Sequence, residues 1–132
     1  MFSYLQIEME CVNQDRSSRL GDTTLHHQKA TTINHVEVRL LKVMLERILR
    51  KHRELRGMES LILETISAPD LILQGHGKEL LALKHYDRTP VGPKNVVVVY
   101  REDKQLVIRA FLTSDHSKLL RKRRTVWQRL NS

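Results

Sequence analysis

The side chains best suited to chemistry in this chain lie between residues 47 and 113. His52 stands near the end of a basic, helix-like segment, and Lys84 and Tyr86 stand in an apolar, strand-like segment. Arg109 and Thr113 belong to a later strand-like segment. An imidazole moves protons near neutral pH, while cations and hydroxyls hold phosphate oxygens. These residue types together indicate a protein that handles a phosphodiester.

Metal-independent cleavage of RNA is the reaction that these side chains would support. The ribose 2′-OH attacks the adjacent phosphorus, so a proton must be accepted, another donated, and the charged phosphorane stabilised. We expect His52 to act as base or acid and Lys84 to stabilise the phosphorane. Arg109 and Thr113 complete the predicted catalytic set, and Tyr86 adds a phosphate contact. The sequence shows no Asp, Glu and His cluster with metal-ligand spacing, which predicts a reaction without a metal or other cofactor.

Several of the histidines also have a purely structural interpretation. His52 in the last turn of a helix would complement the helix dipole. His85 shares a strand face with Leu81 and Leu83, so it is expected to be packed or half-exposed. His76 lies between two glycines and is expected to be a turn residue.

Charge is distributed unevenly along the 132 residues, whose net charge is +8. Residues 1–34 hold three basic and four acidic side chains, whereas residues 35–132 hold 20 basic and 11 acidic ones. A basic core favours a polyanionic partner, with nucleic acid first. The predicted nucleic-acid contacts, beside Tyr86, are Arg47, Arg101, Arg121, Lys122, Arg123, Arg124 and Trp127. The alternative is that the basic run is solvated and that Trp127 docks on the core.

Composition also bears on the compartment. The single cysteine, Cys11, excludes an internal disulfide framework and suits a reducing cytosol. No segment approaches the ~20 apolar residues of a membrane span, and the start of the chain lacks a basic-then-apolar signal pattern. We therefore expect a cytoplasmic protein.

Hydrophobic periodicity predicts an α+β fold. Apolar residues from Leu41 to Leu49 recur at helical spacing, and a second helix spans roughly Met58 to Ser67 and ends before Pro69. Alternation then predicts antiparallel strands near 79–86, 95–101 and 105–113, with Val36 to Leu40 as a fourth strand or an entry segment. The expected domain, residues 35–132, packs two N-terminal helices on a sheet of three to four strands. Residues 1–34 are expected to form a poorly ordered polar arm.

The same alternation assigns the faces of the sheet. We expect Leu106, Ile108, Ala110 and Leu112 to face the helices, with Val107 on the opposite side. Lys84, Tyr86, Arg109 and Thr113 would then share one open face.

Residues from about Val36 to Trp127 resemble small prokaryotic and phage-associated proteins of the barnase, EndoU, colicin and RelE-like (BECR) nuclease superfamily. The matching residues are Ile48, Leu49, His52, Glu54, Leu55, Pro69, Asp70, Lys84, Tyr86 and Val97 to Arg101. Arg47, Arg53 and Arg109 stand where that group has His, Pro and Thr.

The resemblance implies helices packed on a four-stranded antiparallel sheet and a metal-independent, toxin-type endoribonuclease. It also implies a small acidic antitoxin or immunity protein as a partner besides RNA. Two other classes stay open. One is a non-catalytic nucleic-acid-binding module, and the other is a toxin-like interaction protein whose basic cleft docks an acidic segment.

Overall fold

A computed structural model describes residues 27–130, and the side chain of His27 is not included in that description. Among these residues the strands are β1 (His27–Thr31), β2 (Glu37–Leu41), β3 (Leu71–Gln74), β4 (Leu80–Tyr86), β5 (Lys94–Arg101), β6 (Leu106–Thr113) and β7 (Thr125–Gln128). The helices are α1 (Lys42–Lys51), α2 (Glu59–Ser67) and α3 (Ser117–Lys122), and a 3₁₀ turn, Arg53–Leu55, follows α1.

The seven strands form one curled sheet in the order β1-β2-β6-β5-β4-β3-β7. All neighbouring strands are antiparallel except β2 and β6, which are parallel and joined through the single pair Arg39 and Leu106. Because β2 leaves β6 after that pair, the outer edge of β6 is not covered by a strand along most of its length. Helix α1 packs beside this edge.

Helices α1 and α2 cover one side of the sheet, which we call the helix face. Ile48 from α1 and Ile62 and Ile66 from α2 are buried there against Val96, Val98 and Tyr100 of β5. The helical spacing of these apolar residues gives each helix one buried stripe, and burying that stripe stabilises both layers. Gly57, with φ of +81°, makes the turn between the 3₁₀ segment and α2 in a conformation that other residues adopt at a cost.

The opposite side of the sheet, which we call the α3 face, carries a smaller apolar cluster. The residues buried there are Leu73, Leu81, Leu83, Val97 and Val99. Ile108 and Phe111 of β6 and Leu119 of α3 pack against them. The central strand β5 therefore has apolar side chains on both faces, as strands covered on both sides do.

The predicted fold is wrong in its architecture, although its helices and central strands lie close to their expected bounds. The sheet has seven strands instead of three or four, and one pair is parallel. Strands β1, β3 and β7 and helix α3 were not predicted. Residues 27–34, assigned to the arm, form β1 and the turn into β2, while residues 1–26 lie outside the described part of the chain.

A β-bulge overturns part of the predicted face assignment. Val99 pairs with Arg109, yet Tyr100 pairs with Val107, so Ile108 is an extra residue in β6. The extra residue reverses the alternation on its N-terminal side. Val107 consequently joins the core of the helix face, and Ile108 packs in the α3-face cluster, the reverse of the expectation.

Candidate functional site

The C-terminal end of α1 and the bulged part of β6 enclose a small basic pocket. It has a volume of about 40 Å³ and is lined by Arg47, Ile48, Lys51, His52, Ile108, Arg109 and Ala110. We call it the His52 pocket. The structure thus brings together three of the predicted site residues, Arg47, His52 and Arg109. Lys51, which sequence analysis did not single out, adds a fourth polar group.

The His52 imidazole has a neighbouring side chain on two sides. Its Nδ1 lies 3.5 Å from Oε2 of Glu54, and its ring packs against Phe111 with 6.2 Å between ring centroids. The two side chains form no hydrogen bond at this distance, but the charge of a nearby carboxylate favours the tautomer with the proton on Nδ1. Nε2 is then the nitrogen that carries the lone pair. This is the arrangement that a histidine needs to act as a proton acceptor.

The cations of the His52 pocket are held loosely. The Arg109 guanidinium lies 3.5 Å from Glu79, and about half of its side chain is exposed. Arg47 and Lys51 are exposed and form no ion pair within residues 27–130. Arg47 and Lys51 are therefore available to an incoming phosphate, whereas the Arg109 guanidinium reaches across β5 and would have to leave its exposed ion pair with Glu79 to join them.

Glu54 connects the His52 pocket to a larger depression at the end of β6. This depression, which we call the Thr113 cavity, has a volume of about 420 Å³ and is lined by Glu54, Val91, Lys94, Leu112, Thr113 and Ser114. Thr113 Oγ1 donates to the carbonyl of Asp115, and Lys94 Nζ donates to Ser114 Oγ at 2.6 Å. The Ser117 backbone N–H, bonded to the Asp115 carboxylate, lowers the pKa of Asp115. Thr113, which was predicted as catalytic, therefore lies in this neighbouring cavity, and Glu54 stands between it and His52.

Lys84 and Tyr86 lie elsewhere, which corrects the predicted open face. Lys84 pairs with Val96, so both residues point to the helix face, and Lys84 Nζ donates to the carbonyl of Ala68 at 2.9 Å. The Tyr86 hydroxyl donates to Glu64 of α2 at 2.5 Å. Burial and then this hydrogen bond raise the pKa of Tyr86. Arg109 and Thr113 instead belong to the α3 face.

The predicted nucleic-acid contacts are dispersed. Arg101 makes two hydrogen bonds to Asp103, at 3.0 and 2.6 Å, and this contact raises the pKa of Arg101 and lowers that of Asp103. Trp127 is half-buried in the core of the helix face, as the docking alternative states. Arg123 contacts the carbonyl of Gln74 and the ring of His76, whereas Arg121, Lys122 and Arg124 are exposed.

A third cavity, not anticipated from sequence, lies on the α3 face between β4, β5 and the start of α3. It has a volume of about 90 Å³ and is lined by Asp70, Leu71, Leu83, Lys84, His85, Asn95 and His116. We call it the Asn95 cavity. The only sequence signal was an Asn at the start of a Val-rich strand, where an apolar residue would have continued the pattern.

Comparisons with protein-family models, with curated proteins and with solved structures found nothing that matches the chain. Within residues 27–130, no group of three or more His, Cys, Asp or Glu side chains is arranged to hold a metal ion. The same part of the chain contains no helix long and apolar enough to cross a membrane.

Proposed function

We propose that the protein is a metal-independent endoribonuclease whose active site is the His52 pocket. The observation that carries this proposal is the His52–Glu54 pair, 3.5 Å apart, beside a pocket that Arg47, Lys51 and Arg109 also line. A proton acceptor held by a carboxylate and surrounded by cations is what attack by a 2′-OH on a phosphodiester requires. The resemblance of the motif around His52 and Glu54 to BECR nucleases agrees with this proposal, whereas the seven-stranded sheet differs from the four-stranded one that the resemblance implies.

In the proposed reaction, Nε2 of His52 takes the proton of the ribose 2′-OH. The 2′-oxygen forms a bond to phosphorus, and the bond from phosphorus to the 5′-oxygen breaks. The leaving oxygen takes a proton from solvent, which gives a 2′,3′-cyclic phosphate and a 5′-hydroxyl. Arg109 stabilises the charge on the non-bridging oxygens, and Glu54 stabilises the imidazolium that His52 becomes.

The surroundings of the pocket supply binding. Lys94 in the adjoining Thr113 cavity can hold the neighbouring phosphate, because its ammonium keeps protons to donate after the bond to Ser114, whereas the Thr113 hydroxyl already donates to the carbonyl of Asp115. The expected substrate is single-stranded RNA, since DNA lacks the internal nucleophile. We place the protein in the cytoplasm because its single cysteine suits a reducing compartment. An acidic antitoxin or immunity protein stays a prediction.

The test is incubation of the purified protein with an end-labelled RNA oligonucleotide in EDTA, beside a 2′-O-methyl copy of the same sequence. We expect cleavage of the RNA only, with 2′,3′-cyclic phosphate ends identified by mass spectrometry. His52→Gln should reduce the rate by about 100-fold, the loss of one proton-transfer group, while RNA affinity stays within error. The matched control is His35→Asn in the turn before β2, where φ is +64° and Asn is tolerated.

Two results would reject the nuclease assignment. Cleavage of the 2′-O-methyl oligonucleotide would exclude attack by the 2′-OH, and equal loss of rate in His52→Gln and His35→Asn would exclude His52 as the base. Wild-type protein that binds RNA without cutting it, across substrates and pH, would favour a non-catalytic binding module.

A further inference from the structure

The Asn95 cavity contains a polar group that is unusually well fixed. Asn95 is only 7 % exposed, and its Nδ2 donates to the carbonyl of Thr113 at 3.3 Å. A carbonyl cannot donate, so this bond sets which end of the amide is nitrogen. Oδ1 therefore faces Nδ1 of His85, also at 3.3 Å. After these bonds, Asn95 still has one N–H and one lone pair to offer, in a known orientation.

His85 braces this amide and is not free to bind a ligand itself. Its Nδ1 faces Asn95, its Nε2 lies 3.0 Å from the carboxylate of Asp87, and its backbone N–H donates to Asp70 at 2.8 Å. A ring held at both nitrogens keeps its neighbour in place. His85 is thus a positioning residue for Asn95.

The remaining walls of the cavity are apolar or aromatic apart from Asp70 and Lys84, whose charged groups contact Arg129 and the carbonyl of Ala68. Leu83 is buried, Leu71 is half-buried, and His116 lies just before α3 with its imidazole making no hydrogen bond to another residue of the described part. Apolar walls, one aromatic ring and one fixed amide suit a flat ligand with apolar faces and a polar edge. Unstacked RNA bases are recognised in this way, by stacking on aromatic side chains and hydrogen bonding at their edges.

We propose that the Asn95 cavity is a nucleobase subsite that binds a pyrimidine of the RNA that is cut in the His52 pocket. Its volume of about 90 Å³ equals that of roughly three waters and suits a single ring better than a bicyclic purine. The carboxylate of Asp70, which also lines the cavity, already has partners at both oxygens, Arg129 at 2.9 Å and the backbone N–H of His85 at 2.8 Å.

The subsite adjoins the proposed active site through a row of neighbouring side chains. Asn95 is directly opposite Thr113 across β5 and β6, which places their Cβ atoms about 5 Å apart. Thr113 and Glu54 line the same cavity, and Glu54 pairs with His52. This proposal rests on the proposed function, because RNA cleavage is the reason to bind a base here. The experiment therefore measures binding, which can be observed whether or not the protein cuts RNA.

The test is NMR titration of the ¹⁵N-labelled protein with uridine 3′-monophosphate, adenosine 3′-monophosphate and ribose 5-phosphate. We expect the uridine nucleotide to bind at least about fivefold more tightly than the other two and to shift the side-chain amide resonance of Asn95. His116→Ala should weaken uridine nucleotide binding about tenfold, the loss of one stacking contact, and leave ribose 5-phosphate binding unchanged. His35→Asn is again the matched control.

Asn95→Ala, checked for folding by its melting temperature, should remove the preference for uridine over adenosine. Equal affinity for all three probes, or no effect of His116→Ala, would overturn the subsite even if RNA is cleaved at His52. A uridine preference at Asn95 in a protein that never cleaves RNA would instead reject the nuclease and retain the subsite.

Discussion

The ammonium group of Lys84 donates a hydrogen bond to the backbone carbonyl of Ala68 at a distance of 2.9 Å. Ala68 is the residue at which α2 ends, so the ammonium satisfies a carbonyl that the helix itself leaves unpaired. A cation is also favoured there by the negative end of the helix dipole. The lysine that sequence analysis placed on the phosphorane therefore ties β4 to α2.

Lys84→Met should accordingly lower stability and leave chemistry intact. We expect the free energy of unfolding to fall by about 1 kcal/mol, because the carbonyl of Ala68 loses its partner and the helix end loses its cation. At saturating RNA the rate of cleavage should match that of wild type, and any effect should appear in RNA affinity, because Lys84 lines the Asn95 cavity and not the His52 pocket. Lys104→Met, in the exposed turn between β5 and β6, is the control. If Lys84→Met abolished cleavage without lowering stability, that result would support the catalytic role that was predicted from the sequence.

Thr32 joins the turn between β1 and β2 to the turn between β5 and β6. Its Oγ1 donates to Glu102 at 2.7 Å and accepts from the backbone N–H groups of Asn34 and Val36, and the residue is 3 % exposed. Thr32→Val keeps the shape but leaves these groups without their partner, so we expect a loss of about 1–3 kcal/mol. Urea unfolding measures it, with the exposed Thr31→Val as control. Equal effects of the two changes would show that the bonds contribute nothing net.

Tyr100 gives a prediction about alkaline pH. It is fully buried, and its hydroxyl has no hydrogen-bond partner among the described residues. Burial, and secondarily the charge of Glu102, raises the pKa of Tyr100 above its ordinary value. In the unfolded chain the Tyr100 phenol ionises at about pH 10, whereas in the folded chain it is still neutral at that pH. The contribution of the neutral phenol to the free energy of unfolding is thus fully present below about pH 10, and it is lost as the pH rises towards the pKa of Tyr100 in the folded protein.

Tyr100→Phe should therefore reduce the loss of stability between about pH 10 and pH 11.5. At neutral pH it should be neutral or raise stability by up to about 1 kcal/mol, because a buried hydroxyl without a partner is removed. Tyr86→Phe should behave differently at neutral pH, where it loses the bond to Glu64 and destabilises the protein. Urea unfolding at both pH values decides, and alkaline sensitivity in Tyr100→Phe equal to that of wild type would contradict the assignment.

The long elements could be predicted because their periodicity is strong. Helix α1 turns apolar residues inward at helical spacing, and strands β4 to β6 each place apolar residues in the core over seven or eight positions. Strands β1, β3 and β7 have four or five residues each and, unlike the equally short β2, show no alternation of apolar and polar residues. Two of them, β1 and β7, are edge strands with mostly exposed side chains, so they lack the apolar signal of a central strand.

The candidate site was harder to predict because it depends on register. Alternation shows which residues of one strand share a face, but pairing decides which faces of neighbouring strands coincide. Lys84 and Arg109 were therefore placed together, although β4 presents Lys84 to the helices. The extra residue Ile108 in β6 leaves no sequence mark. The role of Glu54 depends on the 3₁₀ turn after α1, which returns its carboxylate to His52.

The exposed cations at and after α3 provide the last prediction. Arg121, Lys122 and Arg124 are exposed and form no ion pair within residues 27–130, whereas Arg123 is engaged with Gln74 and His76 and is left unchanged. If the three cations contact phosphates, replacing them with Gln should lower the slope of log affinity against log salt by about 2, at about 0.7 per phosphate for a single strand. This slope is measured by fluorescence anisotropy with a labelled RNA. Every variant also carries His52→Gln, so that the RNA is not cut during the measurement.

The matched control for that triple variant changes the same charge on the other side of the sheet. Arg39, Arg101 and Lys104 lie on β2 or near the turn between β5 and β6, whereas Arg124 lies beside Gln74 of β3, two strands beyond β5. Their replacement by Gln should leave the slope almost unchanged, because these cations would not touch the RNA. An equal decrease of the slope in both triple variants would mean that net charge alone attracts RNA. That result would reject the α3 face as the RNA-binding surface.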